Sequence, residues 1–415
     1  MYGSVRLASK SIQDYRPISG EREIEELLDI AKSLRGARVL HLSITEFGTG
    51  VAELLRAIVP LMNDLGLDCQ WQVIRSSDEF ISVNRAMYNA LGGIYTPWTK
   101  EMSDVWLKYN RDNVSLFDKE YDFVIVHDPQ PAALLSCFEE QQGRKPEGRW
   151  VWHCHLDLSD AQAEVWHLLS SRMEPYDCLV FDLEDYVPSG LKGPVQVVNP
   201  GIDPRSPKNM ELPHQAVSTI LQQYGLDLSR PMICQTSPFD QWHDPVGLIE
   251  AYRAIKDEVP GVQLVLIASM VSEDPEARAY YQQATHYAER DPHVFVLSSL
   301  NNVGNIEMNA FQRASSVMVQ RSLRKGFALW LSEALWKGRP VVAAKKGGIP
   351  RQVIEGRTGY LIEGTEECAQ RILYLLTHPE VAERMGNEGK KHVGSNFLIT
   401  QCLRNYLQLL AGLQK

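Results

Sequence analysis

The sequence predicts an α/β protein made of two Rossmann-like, doubly wound domains, and three observations support this fold class. At 415 residues the chain is longer than a single hydrophobic core usually supports, so two domains are expected. Short apolar runs alternate with longer amphipathic stretches along most of the chain. A stretch rich in Pro and Asn, VQVVNPGIDPRSPKNMELP, separates two such series and is typical of an interdomain linker.

The first series occupies the N-terminal half of the chain. Its segments follow the order ARVLHLSI, VAELLRAIVPLMNDLG, CQWQVI, and later YDFVIVHD, PAALLSCFEEQQ and RWVWHCHLD. Apolar runs of about four to eight residues joined by helical crossovers predict a parallel sheet covered on both faces. We therefore predict an N-terminal Rossmann-like domain over residues 1–200.

The second series begins with PMICQTS and repeats the same order through GLIEAYRAIKDEV, VQLVLIAS, EARAYYQQATHYAER, VFVLSS, EMNAFQRASS, VMVQRS, LSEALWKG, PVVAA and GYLI. It predicts a C-terminal Rossmann-like domain over residues 201–395. The last stretch, FLITQCLRNYLQLLAGL, has helical spacing and no following strand, so residues 396–415 are predicted to pack back on the N-terminal domain. Ligands of such domains bind beyond the carboxyl ends of the strands, and two domains facing a cleft are expected.

The composition argues against several classes of function. A formal net charge of −10 makes nucleic acid and acidic membranes unsuitable partners, because both are bound by clustered Lys and Arg. The N-terminus is charged throughout, and no segment approaches the roughly 18 apolar residues of a membrane span, so a cytoplasmic location is expected. The seven cysteines are spread singly without a C-x-x-C pair, which favours reduced thiols and no metal site.

A glycine-containing turn, Glu46–Gly50, connects the first strand to the first long helix. Glycines allow backbone N–H groups to approach a ligand closely, and a helix N-terminus favours an anion or a cluster of hydroxyl groups. Gly48, Thr49 and Gly50 are therefore candidate substrate-binding residues. A tight turn that binds nothing is the alternative interpretation.

Two polar clusters follow the strands YDFVIV and RWVW. The first contains His127 and Asp128, and the second contains His155 and Asp157. We predict that His127 and Asp128 bind substrate and that His155 and Asp157 are catalytic. Capping of the sheet edge is an alternative, and zinc is another, although two His at i and i+2 of an extended segment could share one ion only with a bend.

In the second domain, candidate residues follow the strands MICQTS and VMVQ and extend into the next helix. They are the substrate-binding Pro238, His243, Gly326, Phe327, Ala328 and Glu333, together with a catalytic Lys325. Glu333 could accept hydrogen bonds from two sugar hydroxyls, or it could be a first-turn acid that interacts with the helix dipole. The turn that begins at Lys345 and Lys346 could contact phosphate or be a solvated loop.

These residues resemble those of the retaining family 4 glycosyltransferases, which have the GT-B fold, and most closely the trehalose glycosyltransferring synthases and trehalose phosphorylases. The resemblance covers nearly the whole chain through GTGVAELL, VIVHDPQPAAL, WVWHCHLDLSDAQAEVW, NPGIDPRSPKN, FDQWHDPVGLIEAYR, NAFQRAS, GFALWLSEALWKGRPVVA and GGIPRQVIEGRTGYLI. HCHLDLS and IDPRSPKN are specific to the trehalose branch, whereas GFxxxxSEAxxxGxPVVA marks the wider family.

The resemblance implies a nucleotide-diphosphate glucose donor on the second domain, an acceptor glucose on the first, and an α,α-linked disaccharide as product. It implies no tightly bound cofactor and leaves a homodimer open. The bond forms with retention as the diphosphate assists attack by the acceptor hydroxyl, so stabilising the departing phosphate is the main electrostatic task. His155 corresponds to the family's catalytic-loop histidine, and Glu333 to the acid that holds the nucleotide ribose.

The donor side departs from the family pattern. Where relatives have R-F-D-x-W-K and E-G-F-G, this chain has Pro238, His243, Lys325 and Ala328. Each lost charge-assisted hydrogen bond is worth about 1.5–3 kcal/mol, and Pro238 has no side-chain donor. Part of the charge is relocated to Lys325, and Arg321, Arg324 and Lys345 are near in sequence. Three functions fit: an active glycosyltransferase, a non-catalytic sugar or nucleotide sensor or partner subunit, and a phosphorylase using inorganic phosphate.

Overall fold

The computed structural model describes residues 3–116, 119–240, 242–268, 275–289, 291–323 and 326–414. The chain divides into two compact units, one running up to Gly201 and resumed from Ile399 onward, the other spanning Ile202–Leu398. The sequence predicts the end of the N-terminal domain at residue 200 and the end of the C-terminal domain at residue 395. Each unit contains one sheet with helices on its faces.

The first unit is built on a seven-stranded sheet within the described residues, in the order β1-β3-β2-β4-β5-β6-β7. The strands are β1 Gly3–Ser4, β2 Arg38–Ser43, β3 Asp68–Val73, β4 Phe123–His127, β5 Arg149–Cys154, β6 Cys178–Phe181 and β7 Val195–Val197. Only β1 pairs antiparallel among these strands, against β3. All five residues of β4 are buried, as expected for a central parallel strand covered on both faces.

Helices connect these strands and cover the sheet. They are α1 Arg16–Ser19, α2 Glu21–Ala31, α3 Gly50–Asp64, α4 Asp78–Leu91, α5 Lys100–Asn113, α6 Leu134–Gln142 and α7 Ala163–Ser170. Short 3-10 turns lie at Ile12–Tyr15, Lys32–Leu34, Val114–Leu116 and Glu184–Tyr186. Leu55 and Ile58 of α3 pack with Trp71 of β3 in a core that excludes water from one face of the sheet.

The second unit has a six-stranded sheet among its described residues, ordered β10-β9-β8-β11-β12-β13 with every pair parallel. Its strands are β8 Met232–Thr236, β9 Gln263–Ala268, β10 Val294–Ser298, β11 Val317–Gln320, β12 Val341–Ala344 and β13 Gly359–Ile362. Its helices are α8 His214–Gln223, α9 Pro245–Ile255, α10 Pro275–Ala288, α11 Asn305–Ala314, α12 Leu329–Trp336, α13 Ile349–Gln352, α14 Thr365–Thr377 and α15 Pro379–Asn396. A 3-10 turn lies at Ser299–Asn301.

The last helix, α16 Ile399–Leu413, belongs to the first unit. Leu403 and Leu407 are buried in the same core as α2 and α3. Arg404 pairs with Glu23 of α2 at 2.6 Å, which adds an ion pair at the margin of this packing. An apolar stripe at helical spacing therefore buries itself against helices that precede it by most of the chain.

The predicted α/β class with two Rossmann-like sheets is confirmed. All seven cysteines lie in the described part of the chain, where they are buried and unpaired. No helix among the described residues is both long and apolar enough to cross a membrane.

Close packing in the second unit leads to a stability prediction. A Cβ atom added at Gly386 of α15 would overlap the backbone carbonyl of Gly338, so Gly386→Ala should lower the free energy of unfolding by about 1–3 kcal/mol. In the control Gly394→Ala, in the same helix, the added Cβ would lie 3.6 Å from the Trp336 ring, an ordinary contact. Urea-unfolding midpoints compare the two variants, and equal midpoints would contradict this packing.

Candidate active site

Four imidazole rings gather at the carboxyl-terminal edge of the first sheet. His41 lies in β2, His127 ends β4, His153 lies in β5 and His155 directly follows β5. His127 and His153 are register partners, and the rings of His41 and His127 stack with centroids 5.2 Å apart. Because the carboxyl ends of parallel strands meet at one edge, residues far apart in the sequence become neighbours here.

Three of these rings form a continuous hydrogen-bonded chain. Nδ1 of His41 lies 2.9 Å from Nε2 of His127, and Nδ1 of His127 lies 3.0 Å from Nε2 of His155. The His155 side chain is 12% exposed, whereas His41 and His127 are buried. The row of hydrogen-bonded imidazoles therefore runs from the edge of the sheet into the core.

Asp182, directly after β6, holds two of the imidazoles. Its Oδ1 lies 2.8 Å from Nδ1 of His155 and 3.1 Å from Nε2 of His153. The other nitrogen of His153, Nδ1, lies 2.5 Å from the hydroxyl of Tyr406 in α16. Asn199 donates to the backbone carbonyl of Asp182 at 2.8 Å. The last helix thus contributes a side chain to the cluster.

The cluster concentrates its charge on one ion pair. Burial disfavours charge on His155, but Asp182 and Asp128 outweigh it, and the pKa of His155 is raised. Burial also opposes ionisation of Asp182, yet His155 and His153 lower its pKa. Burial lowers the pKa of His153 to about 4 and that of His41 to about 3, and it holds the pKa of His127 well below its ordinary value. These directions describe a charged His155 against an ionised Asp182, with three neutral imidazoles.

The two predicted acids of this edge have different positions. Asp128 has φ of 67°, and its Oδ1 accepts the backbone N–H of His155 at 3.0 Å. Burial raises the pKa of Asp128, although His155 opposes this. Asp157 is buried, and its Oδ1 accepts the backbone N–H of Ser159 at 2.9 Å, which closes a turn. The structure therefore brings Asp128, not Asp157, against His155.

The predicted turn residues Gly48, Thr49 and Gly50 lie between β2 and α3. Gly48 has φ of 74°, a left-handed conformation that favours glycine. The Thr49 hydroxyl accepts the backbone N–H of Ala52 at 3.2 Å and caps α3. Substrate binding by this turn stays a prediction.

The arrangement bears on the zinc alternative. Ligand-type nitrogens of His127, His153 and His155 lie within 4.8 Å of one another, because the strand ends at Cys154 and His155 turns back beside His153. However, each ring nitrogen of these three histidines already has a hydrogen-bond partner. A metal ion would have to replace those bonds, so the geometry favours a hydrogen-bonded network.

In the second unit, Pro238 is exposed after β8, and His243 lies in the loop before α9. Nδ1 of His243 is 2.7 Å from Oδ1 of Asp240, which also accepts the backbone N–H of His243 at 3.1 Å. The His243 ring meets Trp330 edge-on, with centroids 5.4 Å apart. The imidazole is therefore fixed between the Asp240 carboxylate and the Trp330 ring.

Arg321, which follows β11, is committed to a structural contact. Its guanidinium donates through Nε to Oδ2 of Asp244 at 3.0 Å and through another nitrogen to the Thr365 hydroxyl at 3.0 Å. The Arg321 side chain is 8% exposed. Arg321 therefore joins the loop before α9 to the start of α14 and is not free to replace a missing phosphate-binding cation.

The predicted Lys325 and the neighbouring Arg324 lie outside the described residues. Gly326 accepts the backbone N–H of Gly348 through its carbonyl at 3.1 Å, and the Phe327 ring packs edge-on against Phe397 with centroids 5.4 Å apart. The hydrogen bond between Gly326 and Gly348 joins the segment before α12 to the turn after β12. Lys345 and Lys346, in that turn, are exposed.

Ala328 is the N-cap residue of α12 and is buried. Oε1 of Gln352 accepts its backbone N–H at 3.1 Å, and Nε2 of Gln352 donates to its carbonyl at 2.8 Å and to the Ser332 hydroxyl at 2.7 Å. The Gln352 amide therefore satisfies the backbone N–H of Ala328, which the start of α12 leaves without an intrahelical partner. It also adds a donor to a carbonyl that the backbone N–H of Leu331 already contacts at 2.9 Å.

Glu333 is the fifth residue of α12, so the first-turn interpretation is wrong. Its carboxylate, 2% exposed, lies 3.4 Å from Nζ of Lys208 and accepts from Nε2 of Gln312 at 3.2 Å. Nζ of the buried Lys337 donates to Oε1 of Gln312 at 2.6 Å and to Oδ1 of Asn209 at 2.8 Å. The trehalose-branch segment IDPRSPKN therefore contacts α12 and the residue that follows it, through Lys208 with Glu333 and through Asn209 with Lys337.

Models of two protein families match the chain: trehalose synthase, N-terminal domain, over residues 41–188, and glycosyl transferases group 1, over residues 217–392. The trehalose synthase of Rubrobacter xylanophilus is 43% identical and covers 100% of this chain and 99% of its own. That of Pyrococcus horikoshii is 40% identical over 97% of each chain. The trehalose phosphorylase of Pleurotus pulmonarius is 26% identical over 92% of this chain and 58% of its own.

Among solved structures, an α,α-trehalose-phosphate synthase from Burkholderia xenovorans superposes with a TM-score of 0.73 at 12% identity, covering 90% of this chain and 99% of its own. A sucrose-phosphate synthase from Thermosynechococcus elongatus gives a TM-score of 0.66 at 16% identity, covering 89% and 97%. These similarities show the fold. Fold and family matches together define a GT-B glycosyltransferase, an enzyme that acts on sugars. Among these enzymes, the chain belongs to the trehalose synthase family.

Sequence reasoning missed several residues of the site: His41, Asp182, Tyr406, Lys208 and Lys337. It included His153 only in the polar cluster after RWVW, as the partner of His155 in the zinc alternative. His41 lies inside an apolar strand and Tyr406 inside an apolar helical stripe, where neither is distinguished from a core residue. Asp182 follows the apolar run CLVF, and this strand-end position was a usable signal.

The buried Lys337 leads to a pH prediction. Burial lowers its pKa from 10.5 to about 7, with Glu333 opposing and Arg313 and Lys208 adding to the effect. Between these two values the unfolded chain holds a proton that the folded chain has released, so this group makes stability rise with pH over that interval. Lys337→Met should remove this rise, whose slope is at most about 1.4 kcal/mol per pH unit.

Urea unfolding measured at several values between pH 7 and 10 tests this expectation. Lys346→Met, which removes an exposed lysine of the same unit, is the control. A slope that Lys337→Met leaves unchanged would show that the amine keeps its proton in the folded protein.

Proposed function

We propose that the protein transfers glucose from a nucleotide-diphosphate glucose to glucose or a related acceptor, and makes an α,α-linked disaccharide with retention. The observation that carries this proposal is the contact of Asp128 with His155, inside the segment that matches the trehalose synthase N-terminal domain. The names of the relatives, trehalose synthases over the full chain length, support the class of product.

The first unit would bind the acceptor sugar. Asp128 is partly exposed beside a histidine that carries positive charge, so a sugar hydroxyl could donate to the carboxylate in a favourable field. Both ring nitrogens of His155 already have partners. We therefore assign His155 a fixed positive charge near the reacting oxygens rather than the role of a general base.

The second unit would bind the donor. Arg321 is held by Asp244, and the His243 imidazole is held by Asp240, so neither reproduces the cations of the family pattern. The exposed Lys345 and Lys346 lie on the turn that is joined to Gly326. We assign the diphosphate to this turn and the segment before α12, and the nucleotide ribose to Glu333 by resemblance.

Calorimetric titration and product analysis test the proposal. Nucleotide-diphosphate glucoses with different bases are titrated into the protein, then incubated with glucose, and the disaccharide is identified by the proton couplings of its anomeric centres. Donor binding together with α,α-linked product is expected. Sugar binding without nucleotide binding, or disaccharide cleavage that needs inorganic phosphate, would contradict it.

Substitutions at the acceptor edge give a further expected result. Asp128→Asn should lower kcat/KM by about a hundredfold or more, since it removes a charged hydrogen-bond acceptor from the reacting end of the sugar. His167→Asn, at an exposed position of α7, should leave kcat/KM unchanged. Steady-state kinetics measure both variants, and an equal rate for Asp128→Asn and wild type would remove Asp128 from the site.

The altered donor side can be tested by restoring the family residues. Pro238→Arg, His243→Lys and Lys325→Glu together should raise kcat by roughly tenfold or more, because a charge-assisted hydrogen bond to the leaving group is worth about 1.5–3 kcal/mol. The control is Pro260→Arg, His378→Lys and Lys391→Glu, the same substitutions at exposed positions of the second unit. If both triple variants match the wild type, the missing charges do not limit the rate.

A further inference from the structure

Six side chains form one line of hydrogen bonds at the edge of the first sheet. The order is Tyr406, His153, Asp182, His155, His127, His41. Each hydrogen bond needs one donor and one acceptor, and a neutral imidazole offers one of each. The protonation of one member therefore restricts that of the next.

In the half of the line nearest α16, the hydrogens can be placed in only one way. The ionised Asp182 can only accept, so Nδ1 of His155 and Nε2 of His153 must both carry hydrogen. The neutral His153 then presents a lone pair at Nδ1, which accepts the hydroxyl hydrogen of Tyr406. Tyr406 thereby reinforces the tautomer that directs an N–H of His153 at Asp182.

In the other half, from His155 through His127 to His41, the hydrogen bonds can point in either of two directions. When His155 is charged, its Nε2 donates to His127, which in turn donates to His41. When His155 is neutral, both bonds reverse. Nε2 of His41, at the buried end, has no hydrogen-bond partner in the described part of the chain, so that end does not select a direction. The selection must come from the other end.

Asp182 is the group placed to make that selection. Its side chain is 5% exposed and its Oδ1 contacts Nδ1 of His155 directly. The other titratable neighbours are Asp128, which contacts the backbone of His155, the neutral His127, His153 and His41, the hydroxyl of Tyr406, and the buried thiols of Cys154 and Cys402. Among these groups, Asp182 is the carboxylate that contacts the ring itself, whereas Asp128 contacts the backbone.

We propose that Asp182 and Tyr406 are positioning residues for His155. Asp182 fixes the orientation of the ring and its positive charge, and Tyr406 reinforces the His153 tautomer that donates to Asp182. This inference rests on the proposed function only for the use of that charge in sugar transfer. It gives the C-terminal helix a role at the active site besides its packing.

Nitrogen NMR of ¹⁵N-histidine-labelled full-length protein without substrate tests the inference directly. His155 should show two protonated nitrogens at neutral pH, and it should lose one of these protons only at a pH above the ordinary pKa of histidine. In Asp182→Asn, the pH midpoint of His155 should fall, because burial is no longer opposed by its strongest partner. Asp182→Glu keeps the negative charge, so the His155 midpoint in this variant should lie between those of Asp182→Asn and the wild type.

The tyrosine is tested by Tyr406→Phe. The ¹⁵N shift of Nδ1 of His153 should change, since this nitrogen loses its donor, while Nε2 stays protonated against Asp182. Tyr176→Phe is the matched control, because Tyr176 is also buried in the first unit and donates to the carbonyl of Ala132 at 2.8 Å, away from the imidazoles. The spectrum of His153 should be the same in this control and in the wild type.

Kinetics supply a second readout. In the wild type, kcat/KM should fall as pH rises through the raised midpoint of His155, and in Asp182→Asn this fall should move to lower pH. Each unit of displacement lowers the charged fraction about tenfold at higher pH. Asp177→Asn, which alters another strand-edge carboxylate of the first unit, should leave the pH profile in place.

The two readouts separate the inference from the proposed function. An unchanged His155 midpoint in Asp182→Asn, or an unchanged ¹⁵N shift of His153 Nδ1 in Tyr406→Phe, would overturn the inference whatever the activity. Altered spectra in a protein that transfers no glucose from any donor would uphold the positioning and overturn the proposed function.

Discussion

Burying the carboxylate of Asp182 at the edge of a sheet requires donors close by, because an ionised carboxylate without partners is strongly destabilising in a protein interior. His155 and His153 supply those donors, and Asn199 satisfies the backbone carbonyl of the same residue. The position of His155 follows from this requirement, and the contact of its backbone with Asp128 follows from that position. This edge of the first sheet is therefore organised around the contact between Asp182 and His155.

This arrangement also connects the site to the end of the chain. Tyr406 reaches His153 only because α16 is packed into the core of the first unit, where Leu403 and Leu407 are buried. Hydrophobic burial along one helix face thus determines where a single hydroxyl lies. Packing and electrostatics depend on each other here, since the helix brings the donor that the imidazole network needs.

The second unit uses its charged residues differently. Arg321 binds Asp244, and Lys337 joins Gln312 to Asn209, so both side chains hold loops and helices together. Glu333 is likewise engaged by Lys208 and Gln312. Proximity in sequence predicts that charge is relocated toward the donor phosphates. The structure shows that a cation next to a site in sequence can point into the protein.

The sequence by itself determined the two α/β units, the order of strands and helices, and the strand ends where His127, Asp128 and His155 lie. These features depend on periodicity and apolar runs within about ten residues. The tertiary structure alone decided which groups meet there: His153 and Tyr406 are separated by 253 positions, and Lys337 and Asn209 by 128. Such contacts depend on strand register and helix docking. These are set by how whole elements pack, and no local pattern in the chain records them.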